Sequence, residues 1–515
     1  KTLKISGCDG IAVVGPSFYG SSTPATDKAP FKSLQVLYFT GMPEWTTWEQ
    51  CEGAFPYLQE LHLSKCPKFA NALPRKLPSL IKLKIEGCDQ LRTLLPIAPA
   101  IVEVELNDKN RRVILNPRLG LQFCGSCNPS LDQMLEDIQQ ISDTSTAGLK
   151  HVEVGHSDLA SGYQGTSSCS PLEGFLEHFK SLDSIVIDNC PKVVSFPELE
   201  LASPTLTKLR LHRLENLKSL PYQMKSLLPC LVDLGLRSCP ELVSFPDAGL
   251  PSTLESLEIS YCKKLIAGQK QWNLQALPSL SSLTIDGDGY TFEESESFPE
   301  LTTLPPTLTT LIIRKLDGLK TLNYKGIQHL TSLQTLRIEF CLSLEKLPEE
   351  GLPQSITTLA LWYLPNLKSL NPIHRLASLG SLFIVWCNGI STAEQEEGKV
   401  GLFLPSSITS LRVDGLKVKS LDGCGLQRLA CLEELHISDS FDVETVTTEE
   451  ALPSSLRVVE LWNCPKLRAI QRQREGLPSS IESLHILDCP LLAAKYQWEG
   501  EEWHNISYVP DVRID

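Results

Sequence analysis

Cysteine and histidine are the residues whose types and spacing could most readily support chemistry in this sequence. The 515 residues include 17 cysteines, and Cys124 and Cys127 form a Cys-x-x-Cys pair of the kind that ligates zinc or exchanges thiols. A structural zinc site needs about four ligands, and the sequence contains no second pair of this spacing. We therefore predict a loop at this pair, and no metal site.

Ten other cysteines share one position, three residues after the last apolar residue of a recurring Leu-x-Leu segment. They are Cys8, Cys66, Cys88, Cys190, Cys239, Cys262, Cys341, Cys387, Cys464 and Cys489. A small and weakly polar side chain suits a buried tight turn, whereas single cysteines spread along a chain do not chelate a metal. The pattern predicts structural thiols in a reducing, intracellular compartment.

Catalytic patterns and highly charged ligands are both disfavoured. His62, His212, His436 and His485 are predicted on strands of separate repeats, where they should not converge, and neither GxSxG nor HExxH occurs. The net charge of −14 opposes binding to nucleic acids and anionic membranes. No apolar stretch reaches the roughly 18 residues of a membrane span. The sequence predicts a protein that is not an enzyme.

One internal repeat organises the chain. Leu58-x-x-Leu61-x-Leu63-x-x-Cys66 recurs with starts at 34, 58, 80, 101, 149, 182, 206, 231, 254, 280, 308, 333, 356, 379, 408, 432, 456 and 481. Alternation around each Leu-x-Leu predicts a short parallel strand, and frequent prolines between strands disfavour long helices. The predicted fold is an α/β leucine-rich-repeat solenoid (horseshoe) with a concave parallel β-sheet and a convex side of loops and 3₁₀ turns.

Four segments are predicted. Residues 1–106 carry repeats, of which the first is truncated, so that the chain is expected to be the tail of a longer polypeptide. Residues 107–148 form an irregular insertion with a helix at 129–141, which follows Asn128-Pro129. The repeats resume over 149–492, and 493–515 form a C-terminal capping tail.

Aromatic residues on consecutive repeats are the first candidate for a binding site. Positions beside the strand leucines should face the concave side, where exposed rings favour protein contacts. The candidates are Phe340, Trp362, Tyr363, Phe383, Trp386 and Trp462. The alternative interpretation is that several of these rings pack over the adjacent turn.

A basic strip is the second candidate site. It comprises Arg210, His212, Arg213, Arg237, Arg314, Lys315 and Arg337. Such a strip on an acidic protein could receive an acidic loop of a partner or of the same polypeptide. Ordinary solvated charge at strand edges is the alternative.

The repeat cysteines, the Leu-Pro-Ser-Ser connectors and the acidic charge resemble the leucine-rich-repeat region of plant coiled-coil NB-LRR disease-resistance proteins. The ending, Cys489-Pro490-Leu491-Leu492 followed by Trp503 and Val509-Pro510, is similar to the usual close of that family. The resemblance implies an intracellular receptor region, cytoplasmic or nucleocytoplasmic, that recognises a pathogen effector or a modified host protein. It also implies restraint of an upstream nucleotide-binding module. ATP or ADP is expected only in that module, and no cofactor in this chain, which lacks GxxxxGK[ST].

Two other functions compete with this interpretation. A ubiquitin ligase could use such repeats to recruit substrates, although its repeats would normally be more regular and end differently. A cell-surface receptor could use them as a ligand-binding ectodomain. The many unpaired cysteines and the single glycosylation sequon at Asn505 disfavour the ectodomain.

Overall fold

The computed structural model describes most of the chain as two compact units, Lys1–Pro251 and Ser252–Asp515. The described residues are 1–19, 31–49, 51, 53–70, 73–88, 90–91, 183–189, 193–196, 203–290, 298–299, 304–390, 404–421, 425–447, 451–471, 477–498 and 500–515, with the strands at 103–107, 111–116, 120–125 and 151–155. The predicted helix at 129–141 and Cys127 lie outside them. Each unit is a parallel β-solenoid.

The first unit is built around a sheet of short strands. Its strands are β1 Thr2–Ser6, β2 Val13–Val14, β3 Val36–Thr40, β4 Thr47–Trp48, β5 Glu60–Ser64, β6 Lys82–Glu86, β7 Glu103–Asn107, β8 Arg111–Asn116, β9 Gly120–Gly125, β10 His151–Gly155, β11 Ser184–Asp188, β12 Lys208–His212 and β13 Asp233–Arg237. Strands β1, β3, β5, β6 and β7 are parallel neighbours, as are β9 to β13, while β2 and β4 pair separately.

The second unit repeats this arrangement. Its strands are β14 Ser256–Ser260, β15 Ser282–Tyr290, β16 Thr310–Leu316, β17 Thr335–Glu339, β18 Thr358–Trp362, β19 Ser381–Val385, β20 Ser410–Asp414, β21 Glu434–Ser438, β22 Thr445–Thr447, β23 Val458–Trp462, β24 Ala469–Gln471, β25 Ser483–Leu487 and β26 Asp511–Ile514. The main sheet is parallel throughout, and β22 pairs with β24 outside it.

Each of the eighteen predicted repeats contains a strand that begins two residues after its predicted start. Within a strand, burial alternates as the sequence implies: in β5, Leu61 and Leu63 are fully buried and their neighbours are partly exposed. Equivalent leucines of successive repeats stack because the strands are in register. A fully buried aliphatic side chain contributes roughly 1.5–3 kcal/mol, so this stacking is the main stabilising term. The predicted leucine-rich-repeat fold is confirmed.

The insertion begins with an element that the repeat pattern did not predict. Strands β8 and β9 form an antiparallel hairpin. Strand β8 pairs with β7, and β9 pairs with β10, so the hairpin continues the sheet between β7 and β10. The predicted loop at Cys124 is wrong at that residue, since it lies within β9. An antiparallel hairpin needs only a short connection, so sheet pairing can continue across a segment without leucine repeats.

The side opposite the sheet carries only short helices in the described part of the chain. These are α1 Met224–Leu227, α2 Lys263–Ala267, α3 Tyr324–Gln328 and α4 Pro490–Tyr496, with 3₁₀ helices Pro16–Tyr19, Gln269–Gln271, Leu274–Ala276, Asn371–Arg375, Leu426–Arg428 and Trp503–Asn505. Beyond α4, the tail returns to the sheet as β26, which pairs in parallel with β25. The tail therefore covers the last repeat with one further strand.

The cysteine position is a buried turn, as predicted. Among the ten repeat cysteines, eight are buried, Cys8 is partly exposed and Cys190 falls outside the described residues. The thiols donate weak hydrogen bonds to the carbonyl oxygen two residues earlier, as from Cys262 Sγ to Ser260 at 3.3 Å and from Cys489 Sγ to Leu487 at 3.3 Å. Every cysteine with a described side chain is a free thiol.

Aromatic packing stabilises the start of the first unit. Trp45 and Phe55 are fully buried beneath β3 and β5. Tyr19 closes this cluster, because its hydroxyl accepts a hydrogen bond from Trp48 Nε1 at 2.8 Å and donates one to the Glu49 carbonyl at 2.9 Å. Burial raises the pKa of Tyr19 to about 12.

Candidate protein-binding surface

In most repeats, the residue two positions after the last apolar residue of the Leu-x-Leu segment adopts a left-handed backbone conformation, and it immediately follows the strand except at Lys315, which lies within β16. We call this set the turn column, with members Gly7, Gly41, Lys65, Gly87, Asn189, Arg213 and Ser238 in the first unit and Tyr261, Lys315, Phe340, Tyr363, Trp386, Gly415, Asp439, Asn463 and Asp488 in the second. Their φ angles run from 48° to 68°. Glycine, asparagine and aspartate enter this region at low cost, whereas other L-residues lose about 1–2 kcal/mol.

The left-handed turn lets neighbouring repeats form one more backbone hydrogen bond at the point where the chain leaves the sheet. The Phe340 amide donates to the Trp362 carbonyl at 2.9 Å, and the Tyr363 amide donates to Val385 at 2.7 Å. The Trp386 amide continues the series to Asp414 at 2.8 Å. The backbone conformation is thus fixed by hydrogen bonds to the next repeat, and the residue type at this position is left to other constraints.

Three consecutive repeats place large rings in the turn column. Phe340, Tyr363 and Trp386, which we call the aromatic ladder, stack with centroid distances of 4.7 Å and 6.0 Å and interplanar angles of 11° and 16°. Phe340 is 37% exposed and Tyr363 is 40% exposed. The Trp386 ring lies over Gly415, where a built Cβ atom would come within 2.6 Å of it. Phe441, which the sequence prediction did not include, lies 6.3 Å from Trp386.

This geometry corrects part of the predicted patch. Phe340, Tyr363 and Trp386 were expected on the sheet face but lie in the turns at its edge. Trp362 and Phe383 do lie on strands β18 and β19, at partly exposed positions of the sheet. Strands β17, β18 and β19 end before Phe340, Tyr363 and Trp386, so in these three repeats the alternation of strand side chains carries only Trp362 and Phe383 onto the face.

Trp462 is separate from these rings. It occupies β23, at the strand position equivalent to Val385, with Asp414 and Ser438 between them in the register. Its side chain is 51% exposed, and its Nε1 donates to Asp488 Oδ2 at 3.0 Å. The structure therefore divides the predicted patch into the aromatic ladder, the pair on the sheet face and an isolated tryptophan.

The predicted basic strip is divided between the two units. Arg210, His212, Arg213 and Arg237 lie in the first unit, and Arg314, Lys315 and Arg337 lie in the second. Most of these cations are in ion pairs: Arg210 with Asp233 at 2.6 Å, Arg213 with Asp188 at 2.5 Å, and Lys315 with Asp286 at 3.6 Å. Arg314 and Arg337 both bind Glu339, and His212 and Arg237 also have interactions. Most cations of the strip are therefore paired with carboxylates, although Arg314 and Arg337 share the single carboxylate of Glu339.

The prediction that the strand histidines do not converge is wrong for one pair. His436 on β21 and His485 on β25 flank Glu460 on β23, with Nδ1 to carboxylate distances of 2.8 Å and 3.5 Å. His485 Nε2 also lies 3.1 Å from Asp511 Oδ2, and this hydrogen bond holds the pKa of Asp511 below its usual range. Within the described residues, no group of three or more such side chains is arranged to hold a metal ion.

Comparison with known proteins agrees with the repeat pattern. No protein-family model matches the chain. An Arabidopsis thaliana protein named as a candidate disease resistance protein is 36% identical over an alignment of 328 residues, which covers 58% of this chain and 20% of that protein. A second Arabidopsis thaliana protein, a candidate RPP13-like disease resistance protein by name, is 28% identical over 234 residues, 43% of this chain and 17% of its own length. This chain is a leucine-rich-repeat solenoid similar to candidate plant disease resistance proteins.

The leucine-rich-repeat chain spans about a fifth of the length of these relatives, at 20% and 17%. Among solved structures, a leucine-rich-repeat protein of Leptospira interrogans is 19% identical, with a TM-score of 0.41 over 76% of this chain and 92% of that one. The helices of the described segments are all too short or too polar to cross a membrane.

Proposed function

We propose that this chain is the protein-binding, non-catalytic region of an intracellular plant immune receptor. It recognises a pathogen effector or a host protein that an effector has modified. It also restrains a nucleotide-binding module of the same polypeptide until recognition occurs. The similarity to disease resistance proteins supports this function over recruitment of substrates to a ubiquitin ligase and over a cell-surface ectodomain.

The aromatic ladder is the observation that carries the proposal. Phe340, Tyr363 and Trp386 occupy a left-handed position that costs about 1–2 kcal/mol for each L-residue that is not glycine, asparagine or aspartate. The first two rings remain more than a third exposed, so part of the stacked aromatic surface is accessible to a partner. Strained backbone that exposes large rings is typical of binding sites, and aromatic side chains dominate the energetics of protein interfaces.

The experiment replaces all three rings by asparagine in the full-length receptor. Asparagine occupies the same turn position natively at Asn463, with φ 52°, so the variant should fold and accumulate normally. Plants expressing the variant are challenged with a pathogen isolate that triggers the unmodified receptor. A matched control carries Lys65→Asn and Ser238→Asn, which alter the same turn position in the first unit.

We expect loss of triggered cell death, or cell death without challenge, in the ladder variant, together with normal accumulation and an unaffected control. The first result places recognition at the ladder, and the second places the restraint there. An unchanged response would overturn the proposal for this surface. Collapse of accumulation in the ladder variant alone would also overturn it, because the rings would then be required for folding.

A further inference from the structure

Two arginines bracket an apolar floor on the sheet face of the second unit. Arg337, Ala360, Phe383 and Arg412 occupy equivalent positions of β17, β18, β19 and β20, each in register with the next. We call Arg337 and Arg412 the arginine bracket. Ala360 is the shortest side chain of the row and is buried, with 4% exposure, whereas Phe383 is partly exposed, so Phe383 supplies the accessible apolar surface between the arginines.

Buried carboxylates fix both guanidinium groups. Arg337 donates from Nε and Nη2 to Glu339 Oε1 at 3.0 Å and 2.7 Å, and Arg412 donates from Nε to Asp414 Oδ2 at 2.7 Å. Each carboxylate lies two residues later on the same strand, with side-chain exposures of 7% and 5%. Arg337 also lies over the Trp362 ring, 5.6 Å from its centroid. A guanidinium held in this way loses little conformational entropy when it binds a ligand.

Both arginines keep donors for a ligand. The side chains of Arg337 and Arg412 are 35% and 43% exposed. Nη1 of Arg337 and both terminal nitrogens of Arg412 donate no hydrogen bond to any residue that the structure describes. Glu339 is shared between Arg337 and Arg314, which leaves one positive charge in excess at this end of the row. The ligand that complements these groups is anionic at its ends and apolar in its middle.

The spacing of the bracket matches an extended peptide. Neighbouring strands lie about 4.8 Å apart, so three steps from β17 to β20 separate the arginine positions by about 14 Å. An extended chain advances about 3.3–3.4 Å per residue, so residues i and i+4 are separated by nearly the same distance. Residues i, i+2 and i+4 of an extended chain also project from the same side. The middle residue of such a segment would lie over Ala360 and Phe383.

We propose that the arginine bracket binds an extended segment of a partner protein with the pattern acidic, any, apolar, any, acidic. The segment crosses β17 to β20, its two carboxylates pair with Arg337 and Arg412, and its central side chain packs on the apolar floor. This proposal rests on the proposed protein-binding function and names the chemistry of the partner. The net charge of the chain is −14, so the chain as a whole repels carboxylates. The arginine bracket is therefore a selective binding site for a segment that carries them.

The test measures the affinity of the whole chain for fluorescein-labelled synthetic peptides by fluorescence anisotropy. The peptides share one composition, with two glutamates and one phenylalanine in a serine background, and the glutamates are separated by two, three, four or six positions. We expect tightest binding at a separation of four. Loss of one charge-assisted hydrogen-bonded contact should weaken binding about tenfold, so Arg337→Gln is expected to reduce affinity by about that factor.

Three further variants keep the result interpretable. Arg412→Lys retains the charge beside Asp414 but loses guanidinium geometry, and we expect it to fold and to bind several-fold more weakly. Phe383→Ser should reduce the preference for the central phenylalanine. The control is Arg457→Gln, which removes an exposed arginine that pairs with Glu482 elsewhere in the same unit, and it should bind like the unmodified chain.

Equal affinity for all glutamate separations, or equal weakening by Arg337→Gln and Arg457→Gln, would overturn the peptide proposal. Such a failure differs from failure of the proposed function. If the peptides fail while the asparagine substitutions in the aromatic ladder still abolish the receptor response, the chain binds a protein partner of other chemistry. If both experiments fail, the protein-binding surface itself is assigned wrongly.

Discussion

Gly415→Ala should destabilise the second unit more than its backbone conformation alone explains. Gly415 has φ 67°, so an alanine there costs about 1–2 kcal/mol from strain. Its Cβ atom would also lie 2.6 Å and 2.7 Å from two carbons of the Trp386 ring. Displacing a packed ring typically costs a further 1–3 kcal/mol or so. We therefore expect a total of about 2–5 kcal/mol in the free energy of unfolding.

Gly425→Ala is the matched control for this prediction. Gly425 lies in the same unit with the same φ of 67°, but its nearest neighbour to a built Cβ is Arg428 Cδ at 3.7 Å, an ordinary contact. It should therefore lose only the roughly 1–2 kcal/mol that arises from strain. Urea denaturation followed by far-ultraviolet circular dichroism measures both variants against the unmodified chain.

A double variant separates the steric cost from the backbone cost. Trp386→Ser removes the ring, so adding Gly415→Ala to that background should cost no more than Gly425→Ala does. The coupling between the two substitutions should equal the ring-displacement energy, about 1–3 kcal/mol. Equal destabilisation by Gly415→Ala and Gly425→Ala in the unmodified background would refute the assignment of Trp386 to the surface of Gly415.

Three other predictions follow from the described contacts. Cys230 and Cys431 are exposed and should react with a thiol reagent at pH 8, whereas burial raises the pKa of Cys341 to about 12, and mass spectrometry should find it unlabelled until the chain unfolds. Unfolded tyrosine ionises near pH 10, below the folded Tyr19 value of about 12. The Tyr19 contribution to stability is thus complete below pH 10 and lost as the pH rises towards 12, and Tyr19→Phe should reduce that loss in urea midpoints measured across this range. Asn323 caps α3 by accepting from the Gly326 amide at 3.3 Å, so Asn323→Ala should cost about 1 kcal/mol in urea denaturation while Asn323→Asp costs little.

The period of the repeat was sufficient to predict most of the strands and the face that each strand buries. Leu61 and Leu63 exemplify positions whose alternation alone specifies both the strand and its buried face. The β8–β9 hairpin could not be found in the same way, because its pairing is antiparallel and its residues do not follow the repeat. Strand β26 was missed for a similar reason, since Asp511–Ile514 pairs with β25 through the backbone without a leucine template.

The candidate site was only partly predictable, although two signals in the sequence were available. The residue before each repeat cysteine is often glycine, asparagine or aspartate, as at Gly7, Asn463 and Asp488, and this preference indicates a left-handed turn. It would have placed Phe340 and Trp386 in that turn instead of on the sheet. His436, Glu460 and His485 share one repeat position, so parallel register alone would have brought them together. Ion pairing of the basic residues depends on side-chain rotamers and could not be inferred from spacing.

The turn column has a consequence for engineering. Glycine, lysine, aspartate and tryptophan all occupy it with nearly the same backbone conformation, as at Gly41, Lys65, Asp439 and Trp386. Apart from Gly415, which lies under the Trp386 ring, each repeat with this turn therefore offers one position at which a side chain can be exchanged while the hydrogen bonds to the next repeat remain. A combinatorial library randomised at these positions would vary the chemistry of one edge of the sheet repeat by repeat. New specificities could then be selected on an unchanged scaffold, with glycine and asparagine as neutral fillers between the chosen contacts.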